Sequence, residues 1–148
     1  MKFPETPIDF KNEIKISVDK YDSIGDLRIR QFIKFLPKVP HEVIVEGIIL
    51  LIEDEKSGFQ EQEVACKILA EIKPKSTLDL NKIVRRIIGT WNKSCKEIIF
   101  WLVQNYGIDQ VKTCFDNLEN DLKREHEIDK LKTMKWWLRI KEKNKREK

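Results

Sequence analysis

The residues of this chain whose types allow chemistry are few: three cysteines, two histidines, one acidic triplet and one cluster of cations. Cys66, Cys95 and Cys114 are odd in number and form no C-x-x-C pair. A disulfide framework is therefore not expected. Each stands among apolar residues at helical spacing, which predicts buried, inert thiols. His41 and His126 lie away from the cysteines in sequence, and no spacing matches a metal site. The five glycines are isolated, so no loop cradles phosphate. Glu53, Asp54 and Glu55 could meet a cation or a basic partner, but a solvated turn is the expected reading. Lys82, Arg85 and Arg86 crowd one helix and could touch phosphate, against the simpler reading of a solvated face. No nucleophile–base arrangement stands out, so no catalysis, metal or cofactor is expected.

The closing segment TMKWWLRIKEKNKREK carries a different signal. From Lys135 to Lys148 seven basic residues face two acidic ones, a net +5, whereas the whole chain is +4. The body is thus near neutral and its basic character sits at one end, which disfavours a body-wide nucleic-acid surface. Trp136 and Trp137 stand inside that charge. One reading is a capping helix, with the tryptophans over the core of the last structural unit and the lysines in water. The other is an amphipathic anchor, in which Lys135, Trp136, Trp137, Arg139, Ile140 and Lys141 form a partner surface of aromatic hot spots and steering charge. An acidic protein, nucleic acid or an anionic membrane surface would fit it. The last residues, Glu142 to Lys148, are expected to fray.

These features need elements to position them. A chain of 148 residues fits one domain with a real core, here 1–148, with 124–148 as a basic C-terminal helix or tail. Charged residues are 36%, against about 25% in a typical domain. The longest apolar stretch, Val43 to Ile52, contains Glu46 and is far shorter than the ~20 residues that span a bilayer. The opening MKFPETPIDF has no apolar signal region, which makes cytoplasm the default compartment.

Apolar residues return every three or four positions almost throughout, which predicts an all-α fold. Clusters run over 27–36, 43–52, 64–72, 83–88, 98–103, 108–122 and 128–138. Pro37, Pro40, Gly58, Pro74 and Gly107 separate several of them, with Gly107 suited to a left-handed C-cap. Asp79 or Thr77 is expected to open the helix of Ile83, and Asn92 or Ser94 that of Trp101. Trp91 and Trp101 read as core. Residues 8–20 alternate enough to suit a strand, but helix is favoured because no second strand offers itself. Between 108 and 140 the apolar stripe changes side near residues 123–127 with no Gly or Pro, so one long helix and a hairpin both fit.

Segments recur as well. Leu27 to Pro37 falls over Val64 to Pro74 at an offset of 37, and Val64 to Ile72 over Ile98 to Tyr106 at an offset of 34. The helices over 42–54 and 78–90 match in pattern, so the unit is a helical hairpin. With the cores RIRQFIKFL, EVACKILAEI and KEIIFWLVQNYG, and Asp26-x-Arg28 before the first, the chain resembles HEAT-type repeat proteins over residues 22–123. The resemblance implies a short superhelical stack of antiparallel hairpins, an α-solenoid used for binding. The expectation is a non-catalytic protein–protein interaction module, an adaptor, scaffold or regulatory subunit, able to self-associate through its C-terminal helix. The alternative is a nucleic-acid-binding module that uses that helix with Lys82, Arg85 and Arg86.

Overall fold

Thr6 and Asp9 decide the ambiguous first segment. The Asp9 backbone N–H donates to Thr6 Oγ1 at 3.1 Å and the Asp9 carboxylate accepts from the Thr6 N–H at 3.2 Å, a reciprocal cap with Pro7 behind it. In the computed structural model, which describes the backbone of residues 3–147 and side chains to Asn144, this opens α1, Pro7–Asp19. Phe10, Glu13, Ile14 and Ser17 turn inward on one helical face, so residues 8–20 are helix and not strand.

Eight further helices follow among the described residues, and no strand. They are α2 (Tyr21–Ile24), α3 (Leu27–Phe35), α4 (His41–Glu53), α5 (Phe59–Ile72), α6 (Leu80–Ile87), α7 (Glu97–Tyr106), α8 (Ile108–Asp121) and α9 (Glu125–Glu147). A 3-10 turn at Leu36–Lys38 carries the chain past Pro37. Asp79 caps α6 by accepting from the Lys82 N–H. Two expected details differ. Helix α7 starts at Glu97 rather than beside Asn92 or Ser94, because the Asn92 side-chain oxygen Oδ1 is taken by the Ser94 N–H and hydroxyl in the preceding turn. Gly107 has φ 85 and ψ 148, a positive φ that suits glycine but not the left-handed helical cap.

The span 108–140 is a hairpin. Helix α8 stops at Asp121, Leu122 turns to an extended ψ of 134, and α9 begins at Glu125. Helix α9 then continues to Glu147, beyond where fraying is expected; Lys148 lies outside the described residues.

Packing follows chain order. Helices α1, α4, α6 and α8 neighbour one another in sequence, as do α3, α5, α7 and α9. Within the pairs, α4 packs on α5 and α8 on α9. Helices α6 and α7 are joined instead through the segment between them, where Trp91 and Cys95 are buried. The buried apolar side chains form one cluster from Phe10 to Leu138.

Polar ties cross between helices. Arg28 on α3 gives a two-pronged bond to Glu13 on α1, at 2.7 and 2.8 Å, and Ser17 donates to the same carboxylate. The Asp26-x-Arg28 pair is thereby split, since Asp26 takes Arg30 one turn on. Of the acidic triplet, Glu55 is exposed in a turn as expected, but the other two are tied down: Glu53 accepts from Arg86, and Asp54 meets Lys11 at 2.9 Å and Lys15 at 3.4 Å. Burial alone would raise the Glu13 pKa, but the bonds from Arg28 and Ser17 outweigh it and hold it low. The Lys56 N–H and the Lys11 ammonium pull Asp54 down to about 2.

Both carboxylates therefore have folded pKa values below their unfolded ones. Their contribution is full above the unfolded values and drains away as pH falls through the folded ones. The urea midpoint, followed by circular dichroism, should drop as pH goes from Asp54's ordinary 3.8 towards about 2. Glu13→Gln should lose about 2–3 kcal/mol at neutral pH, less than a fully buried pair because Arg28 keeps some water contact, and should show a shallower acid slope.

Candidate functional site

Helix α9 presents three different faces. Leu131, Met134 and Leu138 are buried in the core. Lys135 reaches back to α8, where its ammonium donates to Asp116 at 3.0 Å and to Glu119. Burial works against that charge, but the two carboxylates outweigh it and keep the Lys135 pKa above its ordinary value. Lys135 is thus a strut between the last two helices as much as a surface cation.

The two tryptophans part company. Trp137 is half-buried, its indole N–H donates to the Lys93 carbonyl at 2.9 Å, and its ring meets the edge of Phe100 at 6.5 Å. The Lys96 ammonium lies 5.5 Å from its centroid. Trp136 touches Trp137 at 4.6 Å between centroids but stays 50% exposed. One tryptophan covers the α7 side as a capping helix would; the other faces water, as an anchor would. Arg139 is exposed and Ile140 half-buried, and the Lys141 ammonium sits 5.3 Å over the Phe100 ring.

Phe100 connects this surface to a groove of about 530 Å³ that runs over α7 with α5 and α9 as its walls. Leu69, Ala70 and Lys73 line one side, Phe100 and Val103 the floor, and Lys141 the other side. Lys73 ends α5 in the left-handed conformation, φ 51 and ψ 54. Sequence reading missed Phe100 and the groove. The available signal is that Glu97, Phe100 and Gln104 share the α7 face opposite its buried residues, which a search for core positions passes over.

The alternative phosphate contacts are not gathered into one cradle. Arg86 turns to α4, donating to Glu53 and Glu46 at 3.0 Å each, and those two carboxylates raise its pKa. Arg85 pairs with Asp121 on α8. Lys82 is exposed in the first turn of α6. The cysteines are buried and free: burial pushes Cys114 up to about 11, and a thiol–thiol hydrogen bond with Cys95 together with burial raises Cys66. Thiols held protonated in this way are poor nucleophiles and ligands.

The protein is all-helical, and among its described residues no helix is long and apolar enough to cross a membrane and no group of His, Cys, Asp or Glu is placed to hold a metal. No family model, curated protein or solved structure matches the chain.

Proposed function

We propose that this chain is a non-catalytic protein-binding module, an adaptor or regulatory subunit, built as a short HEAT-like superhelical stack of hairpins. The neighbour order of the two helix series supports the stack. The observation that carries the binding role is Trp136, a large aromatic left half in water on a helix whose Leu131, Met134, Trp137 and Leu138 are packed on the core. Tryptophan and arginine are enriched among the few residues that dominate binding energy once an interface buries them. The ring series Trp136, Trp137 and Phe100 leads from that anchor to the groove over α7. A partner would bury Trp136 and lay an apolar segment on Phe100 and Val103, while Arg139 and Lys141 steer its carboxylates.

Nucleic acid is the competing ligand, and two of its three proposed body contacts, Arg85 and Arg86, are already matched by carboxylates. Capture from native lysate with the full chain, with and without nuclease, separates the two. Recovery should survive nuclease and moderate salt, and Trp136→Ala should weaken it by more than tenfold, as a hot-spot truncation does. Recovery that nuclease abolishes, or affinity that collapses with salt and vanishes on deleting 135–148, would overturn the reading in favour of nucleic acid.

A further inference from the structure

The groove over α7 changes character along its length. Helices α5, α7 and α9 lie side by side and run the same way. Gln62, early on α5, meets Thr90 and Asn92 ahead of α7, whereas Pro74, just past α5, accepts from the Trp101 indole N–H at 2.7 Å. On the other side Trp137 meets Lys93, and Lys141, one turn on, meets Phe100. Glu97 therefore stands at the start of the groove, and Lys73, Gln104 and Asn144 at its far end. Glu97 and Gln104 are separated by two turns of α7, about 10 Å.

The far end is cationic. Lys73 and Lys141 come from opposite walls, and among the described residues neither is in an ion pair. The carboxylates nearest to them in sequence point elsewhere. Glu71 lies about 160° round α5 from Lys73, and Glu142 is turned to Lys112 on α8. Gln104 and Asn144 add amides that donate as well as accept. Between the two ends the surface is apolar, made by Leu69, Ala70, Phe100 and Val103. Lys73 holds its place at a cost. It is the one residue other than glycine at positive φ among the described residues, at a helix end where glycine fits without strain. Strained backbone retained under a charged side chain points to a use for that charge.

We infer that the groove binds a fatty acid, a free acyl carboxylate of medium or long chain. Its chain lies along Ala70, Phe100 and Val103, and its carboxylate reaches Lys73 and Lys141, with the Gln104 and Asn144 amides beside them. One charged head on an apolar tail matches one cationic end on an apolar run, and the opposite charge of Glu97 at the start fixes which way the ligand lies. The groove, at about 530 Å³, is within the range of about 300–1,000 Å³ that small-molecule clefts occupy. The inference goes beyond the proposed function and does not depend on it, because the ligand is a small molecule and the site is complete without Trp136.

Titration calorimetry of the purified full chain with dodecanoate, kept below its micelle-forming concentration, tests it. One molecule should bind per chain. Octanoate should bind about tenfold more weakly or worse, since each buried methylene is worth about fourfold. Dodecyltrimethylammonium, with the same tail and the opposite charge, should lose about tenfold or more, as should dodecanoate on Lys141→Glu. Lys73→Gly should weaken dodecanoate by about fivefold yet leave the urea midpoint level or raised, because glycine relieves the left-handed position. A purely structural lysine would not divide the two readouts in this way. Ala70→Phe, at an exposed position, should fill the groove and abolish binding with the helical circular dichroism intact. A wild type that binds no dodecanoate, binding of several molecules per chain, or equal affinity for the cationic detergent would overturn the inference. So would Lys73→Gly and Lys141→Glu chains that both bind as the wild type does. Capture from lysate turns on Trp136 and this titration on Lys73 and Lys141, so either reading can fail without the other.

Discussion

Trp91→Ala should cost this fold about 3–5 kcal/mol, the range seen for truncating a buried aromatic. Trp91 is among the largest fully buried side chains. Its indole N–H donates to the Cys95 carbonyl at 3.1 Å, which closes the turn between α6 and α7. Those two helices meet little directly, so the ring fills the space at the joint that direct packing fills between α4 and α5. Alanine would empty that space and leave the Cys95 carbonyl without its donor. Trp91→Phe keeps much of the apolar volume and removes the donor, and should cost about 1–3 kcal/mol. Domains of this kind are stable by about 5–15 kcal/mol, so the alanine variant should show a greatly lowered urea midpoint. A loss under about 1 kcal/mol would mean that Trp91 does not hold the joint.

Gly47→Ala should also destabilise, although the usual expectation has the opposite sign. Replacing a mid-helix glycine by alanine ordinarily gains about 0.5–1 kcal/mol. At Gly47, in the middle of α4, an added Cβ would stand 2.6 Å from Cδ1 of Phe10 and 2.8 Å from its Cβ. Phe10 is fully buried, and its Cβ cannot swing aside without moving the α1 backbone. Overpacking of this kind costs about 1–3 kcal/mol, enough to cancel the helix gain and exceed it. Gly47→Leu should cost about 3 kcal/mol or more. A double-mutant cycle locates the cause. Phe10→Ala alone should lose about 3–5 kcal/mol, but in its presence Gly47→Ala should become neutral or favourable. Strict additivity of the two substitutions would show that the seam between α1 and α4 tolerates the methyl group.

The helices themselves were legible because their cause is local. Apolar spacing marked every helix from α3 to α9, and Asp79 named its own cap. The α8–α9 break was half visible: the stripe changed side near 123–127, but Leu122 turns the chain through an extended backbone angle that no glycine or proline announces. Arg86 reads from its neighbours as one of a cationic trio, while its partners Glu46 and Glu53 lie 40 and 33 residues away. The same holds for Arg28, whose neighbour Asp26 suggested a pair and whose partner is Glu13. Trp136 and Trp137 are identical in sequence terms; only the placement of Lys93 and Phe100 separates the covered ring from the open one. What was missed is what depends on side chains meeting across helices.

Gln62 on α5 is buried, and both ends of its amide are committed to a later segment: the nitrogen donates to the Thr90 carbonyl and the oxygen accepts from the Asn92 N–H, each at 2.8 Å. A side chain here completes a stretch of main chain as a neighbouring strand would. The linker after α6 consequently belongs mechanically to the unit before it, and a cut placed in that linker would not divide the protein into two halves that each fold.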